Sequence, residues 1–324
     1  MSLQVSVVIP TFLRPELLHR CLLALSRQTL PSAAFEIIVV DDGNCQRTRE
    51  LVGRWRRRLA DLPMARYILA EDTQGPAAAR NKGWQAAMGG VIAFTDDDTI
   101  PDREWLVEGL KALRPEMAAV TGRVVVPTPR RPTDFQRMTH GLEKAEFVTA
   151  NVFVRREALR VLGGFDERFK RAWREDSDLQ FNILRAGWSI GWAPEARVQH
   201  PARPAPWGVS LGQQRNVFFD ALLYKKHPRL YRLKIRWLPP LRYYAVVLAV
   251  LLALGALLSG HAVLGVLASL LALALCLGFA LRRLKGASHA PRHVAEMVLT
   301  SLLIPFLAVF WRLAGAWHFR VLFL

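Results

Sequence analysis

Val91-Ile92-Ala93-Phe94-Thr95-Asp96-Asp97-Asp98-Thr99-Ile100 decides how this chain is read. An apolar run of strand character drives straight into three successive carboxylates. Side chains alternate along an extended backbone, so Asp96 and Asp98 are expected on one side and Asp97 on the other. Two carboxylates together at a strand's end suit a hard divalent cation, Mg²⁺ or Mn²⁺. An isolated Asp triplet can equally be an acidic turn that caps the next helix, so the neighbouring segments carry the decision.

Upstream, Val5 to Pro10 and Phe35 to Val40 are nearly unbroken apolar runs, the pattern of strands buried on both faces. Pro15 and Glu16 open a helix that puts Leu17, Leu18, Cys21, Leu22 and Leu25 on one face. Gln46 to Leu59 reads as a basic, exposed helix, Tyr67 to Leu69 as a short strand, and Ala77 to Met88 as a helix. The order β-α-β-α-β-α-β predicts a parallel sheet with helices on both faces. Ligands of such sheets bind beyond the carboxyl ends of the strands, where Asp41/Asp42 and Asp96/Asp98 both fall. After Asp98 the pattern becomes mixed. A helix is expected over 105–113, strands over 118–126 and 147–154, a helix from Glu157, and short strands at 187–192 and 198–200.

Beyond Leu238 the polar content collapses. Residues 241–258 and 262–281 are apolar runs joined by Ser259-Gly260-His261, each long enough to span a hydrocarbon core. A third apolar stretch, about 294–311, contains Pro305 and reads as a further span or an interfacial helix. Arg232, Lys234, Arg236 and Arg242 precede the hairpin, and Arg282, Arg283, Lys285 and Arg292 follow it. Positive flanks on both sides place the hairpin's ends, and the preceding domain, in the cytoplasm at the inner (cell) membrane. The division expected is a catalytic domain over 1–230 and a membrane region over 231–324. Met1 to Gln4 lead directly into a strand, so no secretory signal is expected.

A net charge of +17 combined with 52% hydrophobic residues disfavours a nucleic-acid binder, and membrane lipids are the expected partners of the basic surplus. Cys21, Cys45 and Cys276 are scattered, which argues against zinc and against a disulfide framework.

Six stretches together resemble the family 2 glycosyltransferases. They are Val7 to Thr11, Ile37 to Gly43, Ala79 to Gly83, Phe94 to Asp98, Gly163 to Glu167 and Glu175 to Leu179, in the family's order. The resemblance implies the GT-A nucleotide-diphospho-sugar transferase fold, a Rossmann-like α/β fold with a mostly parallel sheet, here followed by C-terminal membrane helices. It further implies a donor-binding set of Pro10, Thr11, Asp41, Asp42, Arg80, Asp96 and Asp97, with Asp42 the more direct partner of the base. Asp98 and Asp96 match the metal motif, and His200 matches a histidine that some relatives use near the metal. Asp176 matches the general base, with Glu175 or Asp178 as alternatives, and a single base attacking directly implies inversion at the sugar carbon. Gln213-Gln214-Arg215 departs from the motif of processive synthases, which favours one sugar per transfer. Trp105, Phe147, Trp173 and Trp188 are candidates for lining a sugar pocket.

The function this implies is transfer from a nucleotide-diphosphate sugar to a lipid-linked or cell-surface glycan acceptor, dependent on Mg²⁺ or Mn²⁺. Transfer directly to a polyprenyl phosphate, and a non-catalytic membrane scaffold, are the competing readings.

Overall fold

The computed structural model describes residues 3–58, 63–71 and 74–323. The chain forms two compact units, Met1–Pro127 with His140–Pro201, and Thr128–Thr139 with Ala202–Leu324. The expected boundary near residue 230 is a sequence division; by packing, residues 202–230 and the short 128–139 segment group with the apolar helices.

The first unit is built on one eight-stranded sheet. In chain order its elements are β1 (Val5–Thr11), α1 (Pro15–Leu25), β2 (Phe35–Asp41), α2 (Gln46–Arg58), β3 (Met64–Leu69), α3 (Pro76–Ala86), β4 (Val91–Phe94) and β5 (Ile100–Pro101). Then follow α4 (Trp105–Ala112), β6 (Met117–Val125), β7 (Val152–Arg155), α6 (Arg156–Leu162), α7 (Glu175–Arg185) and β8 (Ser189–Gln199), while α5 (Asp134–His140), between β6 and β7 in the chain, falls almost wholly in the second unit. The strand order is β3-β2-β1-β4-β7-β6-β8-β5. The first four run parallel, as the βαβ alternation requires; β7 is antiparallel to both β4 and β6, and β8 runs parallel to β6. Every residue of β2 is buried, and helices cover two separate apolar clusters. The expected end of α2 at Leu59 lies outside the described residues.

Three local departures from the sequence reading have physical causes. The strand expected over 147–154 is only Val152–Arg155, because the Asn151 amide N–H turns back to the Val148 carbonyl at 3.1 Å. The Asn151 side chain is spent bridging the Arg123 and Ala196 carbonyls. The two strand pieces at 187–192 and 198–200 are one strand, β8, which passes Pro194 where its register against β6 shifts between Gly122 and Arg123. A bulge is where a sheet tolerates proline. The two-residue β5, unseen in the sequence, pairs Ile100 with Gln199 and Pro101 with Val198.

The second unit contains α8 (Val209–Gln213), α9 (Val217–Lys226), α10 (Pro228–Lys234), α11 (Leu241–Leu258), α12 (Ala262–Leu284) and α13 (Pro291–His318). Among the described residues, α11, α12 and α13 are long and apolar enough to cross a membrane. The third apolar stretch is thus one 28-residue helix that runs through Pro305. The packing is inside-out relative to a soluble hairpin. α11 buries Val246, Ala249, Ala253 and Ala256, and α12 buries Gly265, Ala272, Cys276 and Ala280, while their leucines point outward. Small residues inside and large apolar residues outside are what helices in lipid need, since lipid tails already solvate leucine.

Candidate active site

The site lies at the carboxyl ends of β1, β2 and β4. β4 stops at Phe94, and Asp96 to Thr99 form a tight turn. The turn is closed by the Thr99 amide (3.2 Å) and the Thr99 hydroxyl (2.8 Å), both donating to the Asp96 carbonyl. Asp96 and Asp98 do gather on one side and Asp97 does turn away, but a turn separates them rather than strand alternation. Asp97 is buried against β1. Its Oδ2 accepts from the Thr11 hydroxyl at 2.8 Å and its Oδ1 from Arg14 at 3.0 Å. Burial pushes its pKa up to about 6 against the pull of Arg14. Thr11 is likewise buried and engaged with Asp97, while Pro10 beside it is half-buried.

The pairing of β5 with β8 brings His200 to Asp98. The His200 amide is held by the Val125 carbonyl at 2.8 Å, and His200 Nε2 lies 3.6 Å from Asp98 Oδ1. Asp96, Asp98 and His200 each offer one ligand atom, all within 4.8 Å of one another. His200 Nδ1 is buried with no hydrogen-bond partner among the described residues. Two carboxylate oxygens and an imidazole nitrogen form a donor set suited to Mn²⁺ or Mg²⁺, so these residues fit the expected ion.

The acidic pair after β2 divides its labour. Asp41 is fully buried; Oδ1 accepts from the Gly43 amide (2.9 Å), and Oδ2 from the Cys45 amide (2.7 Å) and the Tyr67 hydroxyl (2.9 Å). Both its oxygens are thus engaged in the turn into α2. Asp42 accepts from the Gly75 amide through Oδ2 at 2.9 Å, and its Oδ1 has no partner among the described residues. Burial raises its pKa, opposed by that Gly75 bond.

On the far side of the cluster, α7 begins with Glu175, Asp176 and Asp178, after Arg174 in the left-handed region at φ 77°. The Arg174 guanidinium stacks on Trp173 at 4.6 Å. Asp176 is half-buried, and its Oδ1 accepts from the Ser177 amide at 2.6 Å. Burial raises its pKa; the Ser177 bond and Arg174 oppose the rise. A carboxylate made more basic in this way is a better proton acceptor near neutral pH. Burial raises Glu175 too, with Asp176 adding to the rise and Arg80 opposing it. Arg80, 3% exposed, donates to Asp96 Oδ1 at 2.8 Å and to Glu175 Oε1 at 3.1 Å.

Within the Ala79 to Gly83 motif, Asn81 has a role that the sequence does not reveal. It clamps the 163–167 turn, donating to the Phe165 carbonyl (2.8 Å) and Glu167 (2.9 Å) while its Oδ1 accepts from the Phe165 amide and Trp84 Nε1 (2.9 Å each). Of the aromatic candidates, Trp105 and Phe147 are core residues, and Trp188 packs against the second apolar cluster.

Residues 6–167 match the family model described as glycosyl transferase family 2, and residues 91–285 match that described as glycosyl transferase family group 2. Glycosyltransferase AglE of Haloferax volcanii is 29% identical over 223 residues, which cover 66% of this chain and 71% of AglE. The pre-mycofactocin glycosyltransferase of Mycobacterium tuberculosis is 30% identical over 217 residues, 61% of this chain and 43% of that protein. Among solved structures, the mannosyltransferase PcManGT from Pyrobaculum calidifontis, in complex with GDP-Man and Mn²⁺, matches with a TM-score of 0.60 at 18% identity. That match covers 98% of this chain and 88% of PcManGT, and it agrees with the sheet described above in showing the GT-A fold. With six motifs in order on such a sheet and half the chain matched by one family model, the chain belongs to glycosyl transferase family 2.

Proposed function

We propose that this protein is a metal-dependent, inverting glycosyltransferase that moves one sugar from a nucleotide-diphosphate sugar to a lipid-linked or cell-surface glycan acceptor. The observation that carries the reading is the Asp96/Asp98/His200 cluster, joined through Arg80 to the start of α7. That PcManGT holds GDP-Man and Mn²⁺ on the same fold supports a nucleotide sugar and a divalent ion here. Asp42, whose Oδ1 has no partner among the described residues, would accept from a ring N–H of the base. Asp96, Asp98 and His200 would hold the ion, and a bound divalent cation neutralises charge growing on a departing diphosphate.

Asp176 would take the proton from the acceptor hydroxyl. The hydroxyl oxygen then bonds to the sugar's anomeric carbon as the bond from that carbon to the diphosphate oxygen breaks. The nucleoside diphosphate leaves with that electron pair, and attack opposite the leaving group inverts the centre. The three apolar helices would hold the enzyme on the cell (inner) membrane, with the catalytic domain, expected over 1–230, on the cytoplasmic side. An acceptor embedded in or projecting from the bilayer is then close by.

Thermal melting of the detergent-solubilised protein against UDP, GDP, CDP and ADP, each with and without Mn²⁺, tests this. One nucleotide present at a hundredfold its Kd should stabilise the fold by about 2.7 kcal/mol. The shift should need Mn²⁺ and vanish in Asp98→Ala. No shift with any nucleotide would sink the enzyme reading in favour of a non-catalytic scaffold.

A further inference from the structure

Arg80 lies between two carboxylates that serve opposite ends of the proposed site. Asp96 belongs to the carboxylate–imidazole cluster, and Glu175 is the first residue of α7, directly before Asp176. A guanidinium is planar, so the directions of its two amino groups are fixed relative to each other. Nη2 is committed to Asp96 and Nη1 to Glu175, so one guanidinium ties the two accepting oxygens to each other. Glu175 is 3% exposed, and its Oε2 is buried with no partner among the described residues. Asp176 is half-buried and so is the carboxylate of the pair that an acceptor can reach.

We propose that Arg80 is a positioning residue. By gripping Asp96 and Glu175 together it sets Asp176 relative to the cation cluster, and Glu175 acts as its partner rather than as the base. The inference rests on the glycosyl-transfer reading above. It makes one buried cation the link between donor binding and proton acceptance.

The experiment compares Arg80→Lys, Glu175→Gln, their combination and Asp176→Asn. Turnover of GDP-mannose and UDP-glucose is followed, and binding of GDP and UDP with Mn²⁺ is measured by isothermal titration. Lysine keeps the charge but has a single ammonium on a flexible stem, which cannot fix two carboxylates. Arg80→Lys should bind nucleotide within about threefold of wild type while kcat falls on the order of 10²-fold, the scale of a small misplacement of a catalytic group. Glu175→Gln keeps an oxygen for Nη1 and should lose no more than about tenfold. The combined variant should be no slower than Arg80→Lys, since residues acting as one unit are not additive.

Glu175→Gln as inactive as Asp176→Asn would make Glu175 the base and overturn the proposal. So would Arg80→Lys that loses nucleotide affinity but keeps kcat, or losses that multiply in the combined variant. If Arg80→Lys shows no cooperative melt, Glu175→Gln against Asp176→Asn decides alone: activity kept within about tenfold supports the bridge, and inactivity refutes it. A wild type that binds none of UDP, GDP, CDP and ADP with Mn²⁺ and turns over neither donor fails before any variant is compared, and removes the glycosyl-transfer reading together with the bridge.

Discussion

At Asp97 two forces oppose each other: burial resists the charge, while Thr11 and Arg14 donate to it. Its folded pKa of about 6 lies above the ordinary 3.8, so the folded state holds this proton more tightly than the unfolded chain does. The group's contribution to stability is therefore full below about pH 4 and is lost as pH rises towards 6. Asp97→Asn cannot ionise. In the presence of a chelator, its stability relative to wild type should improve by on the order of 2 kcal/mol between pH 4 and pH 7. Parallel stability curves for the two proteins would contradict this. Asp96, Asp98, Asp42 and Asp176 were all legible in the sequence, because carboxylates at strand and helix ends announce themselves. The shared grip of Arg80 was not, because Glu175 lies 95 residues further along the chain and meets Arg80 only in the fold. The resemblance set Asp42 ahead of Asp41 as partner of the base, but the Gly43, Cys45 and Tyr67 donors that occupy Asp41 are visible only in the fold.

Between elements, the turn before α7 depends on a glycine. Gly164 has φ +74°, and a Cβ there would lie 2.5 Å from both Asn81 Oδ1 and Trp84 Nε1. Alanine would face a strained backbone and break into the Asn81 clamp at once. Gly164→Ala should lower unfolding stability by about 1–3 kcal/mol, read as a drop in Tm of the solubilised protein. Gly163→Ala serves as the comparison, since nothing lies within 4 Å of its Cβ position and only the backbone strain at φ +77° remains. The parallel half of the sheet was readable from its apolar runs. The continuous β8 was not, since Pro194 argues for a break unless one knows that a bulge receives it. The two-residue β5, with proline as half its length, carries no local signal at all. Its partner strand defines it.

For the molecule as a whole, the unit that ends the chain wears its leucines outward. Leu251 and Leu271 are 61% and 55% exposed on their helices. A carboxylate at mid-helix costs about 3 kcal/mol on insertion, so Leu251→Asp combined with Leu271→Asp should release much of the protein from the membrane pellet in alkaline carbonate. Wild type should resist the same wash. Unchanged retention of the double variant would argue against spanning by α11 and α12. Composition alone makes α11 and α12 legible, because runs this free of charge have few other uses, whereas residues 128–139 and 202–230 join this unit only by packing.

The Ile100–Pro101 pairing with Val198–Gln199 also bears on the order of assembly. β1 to β4 can pair from neighbouring βαβ segments, but Asp98 must wait for β8, which is made much later, pairs with β6 over eight positions and meets β5 over only two. Such long loop closures come late and at entropic cost. During synthesis, the chain can hold a formed parallel sheet while its cation cluster is still open. The Asp98–His200 neighbourhood is thus completed only once a strand made about a hundred residues later has joined the sheet.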